Sequence, residues 1–212
     1  MDSVSEQLLV LVMLLNFVVL GTSRLKVAIR AVATQGVMLG LLPGLLHAGS
    51  LHLWLMCTGL IAAKGMVIPY MLNDALRKVR VVREAQPLVG YLAVQILGGI
   101  GTAAAFTFAA RLPLAPEHRG LLLVPASLAT LAAGFLLLIT RRKALSQVVG
   151  YLVLENGIFI FGLLLTSAMP ALVEAGVLLD MIVGIFVMGI IINQIGREFS
   201  SLDTSRLTSL KE

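Results

Sequence analysis

The chain has 212 residues, of which 58% are hydrophobic and 13% are charged, and its mean hydropathy is +0.99. This composition lies far outside that of soluble globular domains, which excludes a large water-soluble domain. The net charge is +5, but the basic residues lie in short clusters between apolar stretches, where they set membrane topology. We therefore expect a protein that is embedded in the lipid bilayer and that does not bind nucleic acid.

Seven apolar stretches are each about 20 residues long, enough for a helix to cross a hydrocarbon layer of about 30 Å. They are apolar on all sides, whereas the strands of a membrane barrel alternate polar and apolar residues in segments of about ten. The sequence thus predicts an all-α integral membrane protein with seven transmembrane helices. The predicted spans are 4–23, 27–48, 51–72, 88–110, 121–140, 145–168 and 171–196.

The lysines and arginines predict the direction of these spans. Thirteen of the 16 basic residues fall in the C-terminal tail, in the odd-numbered connections or, for one of them, within one helical turn of such a connection. The positive-inside rule assigns that side to the cytoplasm, so we expect the N-terminus outside and the C-terminus in the cytoplasm. The thirteen residues are Arg24, Lys26, Arg30, Arg77, Lys78, Arg80, Arg83, Arg141, Arg142, Lys143, Arg197, Arg206 and Lys211.

A short repeat links the fourth and sixth spans. Residues 89–95 read VGYLAVQ and residues 149–155 read VGYLVLE, each shortly after a basic connection. If the two segments share an origin, Gln95 occupies the position of Glu155, and the repeat is parallel because both copies start from the same side. Chance similarity between two apolar sequences is the alternative.

Three ionisable side chains are predicted near the middle of the bilayer, where each costs a few kcal/mol or more and needs a partner or a function. At about 1.5 Å per residue, Glu155, Asp180 and Lys64 lie roughly halfway through their spans, with Gln95 slightly closer to the cytoplasm. Burial raises the pKa of a carboxyl group and a nearby ammonium lowers it, which favours proton exchange near neutral pH. These four residues are our candidate proton relay.

Helical spacing adds supporting residues to this relay. Tyr151 shares one face of the sixth span with Glu155, and Asp180 shares one face of the seventh with Gly184. Gly184 would let a neighbouring helix or water approach Asp180. The alternative is that Lys64 and one carboxylate form a buried ion pair that only fixes how the helices pack.

Other residues predict contacts between helices. Four amides within the predicted spans are expected to form interhelical hydrogen bonds or to hold water, and three glycines spaced by four residues allow close approach of the second span. A lone cysteine, Cys57, offers neither a disulfide framework nor a metal cluster, so we expect no metal and no cofactor. The amides are Asn16, Gln35, Asn156 and Asn193. The glycines are Gly36, Gly40 and Gly44.

Two segments carry a family resemblance. QVVGYLVLENGIFIFG at 147–162 and LLDMIVGIFVMGIIINQI at 178–195 resemble the component E subunits of hydrogenase 4 and of related formate hydrogenlyase complexes. The span that carries Lys64 and Gly65 also fits that family. The last three predicted helices are similar to the small K-type subunit of respiratory complex I and to the C subunit of Mrp-type antiporters.

K-type subunits carry two arginines before the middle helix, then a glycine followed by an intramembrane glutamate. A second glutamate lies four residues before a glycine in their last helix. Two departures from this pattern are that Glu155 lies one helical turn later than the usual glutamate and that Asp180 replaces a glutamate. The matching residues here are Arg141, Arg142, Gly150, Glu155, Asn156, Asp180 and Gly184.

The resemblance implies a non-redox membrane-arm subunit of a respiratory or hydrogenase-type complex in a prokaryotic inner membrane. Its partners would be antiporter-like membrane subunits and a hydrogenase or dehydrogenase arm. It would hold no cofactor, would not be catalytic alone, and would couple its partner's redox chemistry to proton or sodium translocation. The alternatives are a scaffold subunit without its own ion path and a stand-alone secondary transporter.

The same resemblance divides the single membrane domain, 1–212, into parts. Residues 1–120 form an N-terminal four-helix part. Residues 121–196 form the K-type-like three-helix part, and residues 197–212 form a cytoplasmic tail.

Overall fold

The computed structural model describes residues 3–46, 51–79, 88–113 and 122–164, and the single positions 182 and 189. Every regular element in these four ranges is a helix. The elements are α1 (Ser3–Gly21), α2 (Leu25–Leu46), α3 (Leu51–Ala62), a π-helical segment (Ala63–Val67), α4 (Ile68–Val79), α5 (Tyr91–Ala109), α6 (Leu123–Thr140) and α7 (Ala144–Leu163).

Six helices within the described ranges are long and apolar enough to cross a membrane, since α3, the π-helical segment and α4 follow one another without a break. The all-helical membrane class is therefore confirmed, and the six helices correspond to the first six predicted spans. The predicted seventh span, 171–196, and the predicted tail, 197–212, lie outside the described ranges. The structure thus supports six spans.

The third span is longer than its hydropathy predicts. Its apolar stretch ends near Leu72, but the helix continues to Val79. The added turns are amphipathic: Leu72 and Leu76 are buried, while Arg77 is exposed. Backbone hydrogen bonds continue beyond the hydrocarbon layer when one face of the helix still packs on the bundle, so hydropathy alone places the end too early.

The π-helical segment comes just before Pro69. A proline lacks the backbone N–H, and its ring clashes with the carbonyl four residues earlier, here that of Gly65. A π turn accommodates one extra residue, and Ile68 N–H accordingly donates to Ala63 O, five residues back. Within this widened turn Lys64 is buried.

Glycines bring pairs of helices into close contact. A Cβ at Gly134 of α6 would lie 2.5 Å from the backbone nitrogen of Leu154 in α7, so the two helices meet there backbone to backbone. The predicted close approach of the second span is also found, because a Cβ at Gly36 would lie 2.6 Å from that of Lys64. Small residues of this kind let membrane helices approach closely.

Buried apolar side chains form two clusters, one toward each end of the bundle. The first contains residues near the end of α1 and the starts of α2 and α7. The second contains residues from the opposite ends of these helices. Members of the first include Val19, Val32, Ile68, Ala133 and Val153. Members of the second include Val12, Leu39, Leu60, Ala129 and Phe159.

Candidate functional site

An ion pair lies buried among the helices. Lys64 Nζ is 2.8 Å from Glu155 Oε1, and both side chains are almost fully shielded from solvent. The ammonium also lies 5.4 Å from the ring centre of Phe159, within range of a cation–π attraction. Lys64 therefore meets two residues that are one helical turn apart on α7.

A chain of hydrogen bonds extends from this ion pair. Lys64 Nζ donates to Asn156 Oδ1 at 3.4 Å, and Asn156 Nδ2 donates to Gln35 Oε1 at 3.4 Å. Gln35 Nε2 donates to Asn16 Oδ1 at 2.8 Å. Asn16 Nδ2 then donates to Thr130 Oγ1 at 2.9 Å. The predicted interhelical hydrogen bonds of the three described amides are thus found.

We call these six residues the polar layer: Glu155, Lys64, Asn156, Gln35, Asn16 and Thr130. Each of them is buried, and together they link α1, α2, the π-helical segment, α6 and α7. In every one of these helices the polar residue lies between a member of the first apolar cluster and a member of the second. The layer therefore runs across the bundle, with apolar packing toward both ends.

A small cavity adjoins the polar layer. It has a volume of about 10 Å³, and both Lys64 and Asn156 contribute to its wall. This is close to the smallest space that holds one water molecule, which needs at least two polar partners. Apolar residues such as Ile29 and Leu72 form the rest of the wall.

The polar layer combines two kinds of group. Glu155 and Lys64 can gain and lose protons, whereas the three amides and the threonine hydroxyl can only donate and accept hydrogen bonds at ordinary pH. The ionisable groups are therefore at one end of the layer, and the groups at the other end only form hydrogen bonds. Its amide end orients that pair and satisfies the buried polar groups.

Two of the remaining predicted site residues are described, and neither is among the six residues of the polar layer. Gln95 is exposed, and its Nε2 donates to Phe17 O at 3.4 Å, close to where α1 ends. Tyr151 is half-buried on α7, one turn before Glu155. Asp180 and Gly184 lie outside the described residues.

Sequence reasoning missed three features. Thr130 closes the polar layer, but a threonine in an apolar helix is too common to stand out. Arg141 was assigned to the topology and to the K-type motif but not to the interior, yet it is buried at the end of the bundle. The π-helical segment was not anticipated, although the proline at position 69, close behind the lysine, was the available signal.

Fold and site together define a class: a helical membrane protein with several spans and a buried ion pair between them. Over 194 residues the chain is 30% identical to the uncharacterized protein Rv0085 of Mycobacterium tuberculosis (strain ATCC 25618 / H37Rv), covering 89% of this chain and 87% of that one. The chain therefore belongs to the same protein family as Rv0085.

A second similarity covers about half of the chain. Over 101 residues the chain is 35% identical to hydrogenase-4 component E of Escherichia coli (strain K12), which is 48% of this chain and 46% of that one. The same match is found with hydrogenase-4 component E of Shigella flexneri. No family model matches the chain, and no solved structure matches it significantly.

Proposed function

We propose that this chain is a non-redox membrane subunit of a hydrogenase-type complex, and that its buried Lys64–Glu155 pair takes part in proton translocation driven by a partner subunit. The similarity to hydrogenase-4 component E supports the assignment to such a complex. The observation that carries the proton role is the 2.8 Å contact between two ionisable groups inside the bundle.

The elementary step is a proton transfer within the pair. A proton that moves from the Lys64 ammonium to the Glu155 carboxylate leaves a neutral amine beside a neutral carboxylic acid. In a low-dielectric site the neutral and the ionised forms of such a pair lie close in free energy, because desolvation offsets much of the Coulomb attraction. A charge or a water molecule moved nearby by a partner would then select one form over the other.

The packing supports a transfer that runs across the bundle. Apolar clusters lie on both sides of the polar layer toward the two ends of the bundle, which favours movement within the layer, parallel to the membrane. We assign Asp180 as a second carboxylate of this transverse relay, with Gly184, four residues later in the sequence, as its supporting residue. Gln95 is a neutral residue at its edge, and Tyr151 and Asn156 support Glu155.

Partners and topology complete the proposal. The chain would contact antiporter-like membrane subunits and a hydrogenase or dehydrogenase arm in a prokaryotic inner membrane. Its last three predicted helices would correspond to a K-type subunit, including a seventh span at 171–196. The clustering of basic residues supports an external N-terminus and a cytoplasmic C-terminus.

A scaffold role is the competing function, and the amide half of the polar layer favours it. Asn16, Gln35 and Asn156 are held by hydrogen bonds to one another and to neighbouring helices. Such a network specifies helix packing whether or not a proton moves through it.

Glu155→Gln separates the two functions. If the pair relays protons, the complex still assembles, because the amide keeps the shape of the carboxyl group and can still accept a hydrogen bond from Lys64, while redox-linked proton movement is lost because the amide does not bind a proton at ordinary pH. If the pair is a fixed scaffold, an uncompensated buried ammonium remains, and stability falls by about 3–5 kcal/mol. Proton movement in membrane vesicles and subunit recovery after purification are the two measurements.

Two further variants sharpen this test. The double variant Lys64→Met with Glu155→Gln carries no buried charge, so it should restore assembly in the scaffold case but stay inactive in the relay case. Glu6→Gln is the matched control, because it removes a half-buried carboxyl group in the first turn of α1. Full proton movement in Glu155→Gln, or proton movement by the chain when it is purified alone, would contradict the proposed function.

A further inference from the structure

A second cavity lies at the end of the bundle, where α1 ends and α2 and α7 begin. Its volume is about 20 Å³, enough for one water-sized group. Arg24 and Arg141 both contribute to its wall, together with Thr22 and Ser146. The described residues of this wall include no acidic side chain.

Arg141 is buried at this cavity, with only 4% of its surface exposed. Its Nη2 donates to Leu20 O at 2.7 Å, and its guanidinium lies 4.5 Å from the ring centre of Tyr91. Its Nη1 is buried and has no hydrogen-bond partner among the described residues. Leaving such a donor unsatisfied is costly, and more so for a charged group.

The surroundings of Arg141 favour an anion. Arg24 is exposed at the mouth of the same cavity. The first turns of α2 and α7 contribute Leu25 and Ser146 to the wall, and helix N-termini carry partial positive charge.

We propose that this cavity binds one oxygen of a phosphate group, and that the rest of that group lies outside, against Arg24. The size of the cavity fits a single oxygen atom, and Nη1 of Arg141 supplies the donor for it. Guanidinium groups are well suited to phosphate oxygens. A helix end is at the level of lipid headgroups, so the phosphodiester of an anionic phospholipid is one source and free phosphate is the other.

The test measures binding to the full chain in detergent. Native mass spectrometry measures the binding of phosphatidylglycerol, with phosphatidylcholine as the zwitterionic comparison. A rise in the thermal unfolding temperature measures the binding of inorganic phosphate added alone. Arg24→Gln should weaken binding about fivefold, the effect of one basic residue near a phosphate. Arg141→Lys should weaken it about tenfold or more, because the second donor of the guanidinium is lost.

Arg30→Gln is the matched control, since Arg30 is exposed on α2 and does not contribute to the cavity wall. Arg24→Gln keeps the test decisive if Arg141→Lys does not fold. Weaker phosphatidylglycerol binding in Arg24→Gln than in Arg30→Gln supports a lipid source. The same pattern with inorganic phosphate alone supports a free anion. Equal binding in wild type and Arg24→Gln, or equal loss in Arg24→Gln and Arg30→Gln, overturns the proposal and leaves a cavity for water only.

Discussion

The same four residues, VGYL, lie at 89–92, across the start of α5, and at 149–152, inside α7, and their surroundings differ. In α5 the glycine precedes the helix, and a Cβ at Gly90 would touch nothing within 4 Å. In α7 the glycine is well inside the helix, and a Cβ at Gly150 would lie 2.9 Å from that of Leu137. The two copies therefore differ in their distance from the helix start.

The fifth residue after the glycine is exposed in one copy and buried in the other. Gln95 is the fifth residue of α5 and is exposed, whereas Glu155 is the twelfth residue of α7 and is 1% exposed. The share of buried residues is 17% for the α5 span and 67% for the α7 span. Similar sequence thus gives an outer helix in one case and a central helix in the other, because neighbouring helices determine burial.

The largest expected effect on stability compares the two glycines of the repeat, Gly150 and Gly90. Gly150→Ala should lower the free energy of unfolding by about 3 kcal/mol, since the added methyl group meets the backbone of α6 and neither helix can move without disturbing the polar layer. Gly90→Ala is the matched control and should change stability by less than about 1 kcal/mol. Thermal unfolding of the two variants in detergent provides the measurement. Similar losses at both positions would mean that the two copies are packed alike.

The next largest effect compares the buried amide of Asn156 in the polar layer with the exposed amide of Gln95. Asn156→Leu should destabilise the protein by about 2 kcal/mol, because Gln35 Oε1 and Lys64 Nζ each lose a buried hydrogen-bond partner. Gln95→Leu should change stability by less than about 0.5 kcal/mol, as expected of an exposed side chain. Chemical unfolding in mixed micelles compares them. A larger loss in Gln95→Leu would contradict the assignment of α5 to the outside of the bundle.

The smallest effect tests how α5 is held at its start. Tyr91→Leu should cost about 1 kcal/mol, because the ring no longer attracts the guanidinium of Arg141. Tyr70→Leu is the same substitution at a side chain that is 75% exposed, so a change within about 0.5 kcal/mol is expected. If Tyr91→Leu unfolds at the same temperature as Tyr70→Leu, the contact of the Tyr91 ring with Arg141 adds nothing to the stability of the protein.

The sequence was sufficient for the helical class and for six of the spans. Hydropathy and helix rise determine these directly. The sequence was not sufficient to identify which helices pack against each other, because helices that are apolar on all sides carry little information about which face packs inward. Thr130 and Arg141 illustrate this limit, since their partners Asn16 and Leu20 lie more than 100 residues away.

The π-helical segment lets one span hold an extra residue while the helix on either side keeps its buried face toward the bundle. Loss of one residue between 63 and 67 would restore a regular α-helix in which the N–H of Ile68 still donates to Ala63 O, so Ile68 and Leu72 would stay in the core. The residues inside the turn would change direction instead, and Lys64 is one of them. A one-residue gap at this point in an evolutionary relative would therefore mark a protein that has kept the membrane span and lost the geometry of the ion pair.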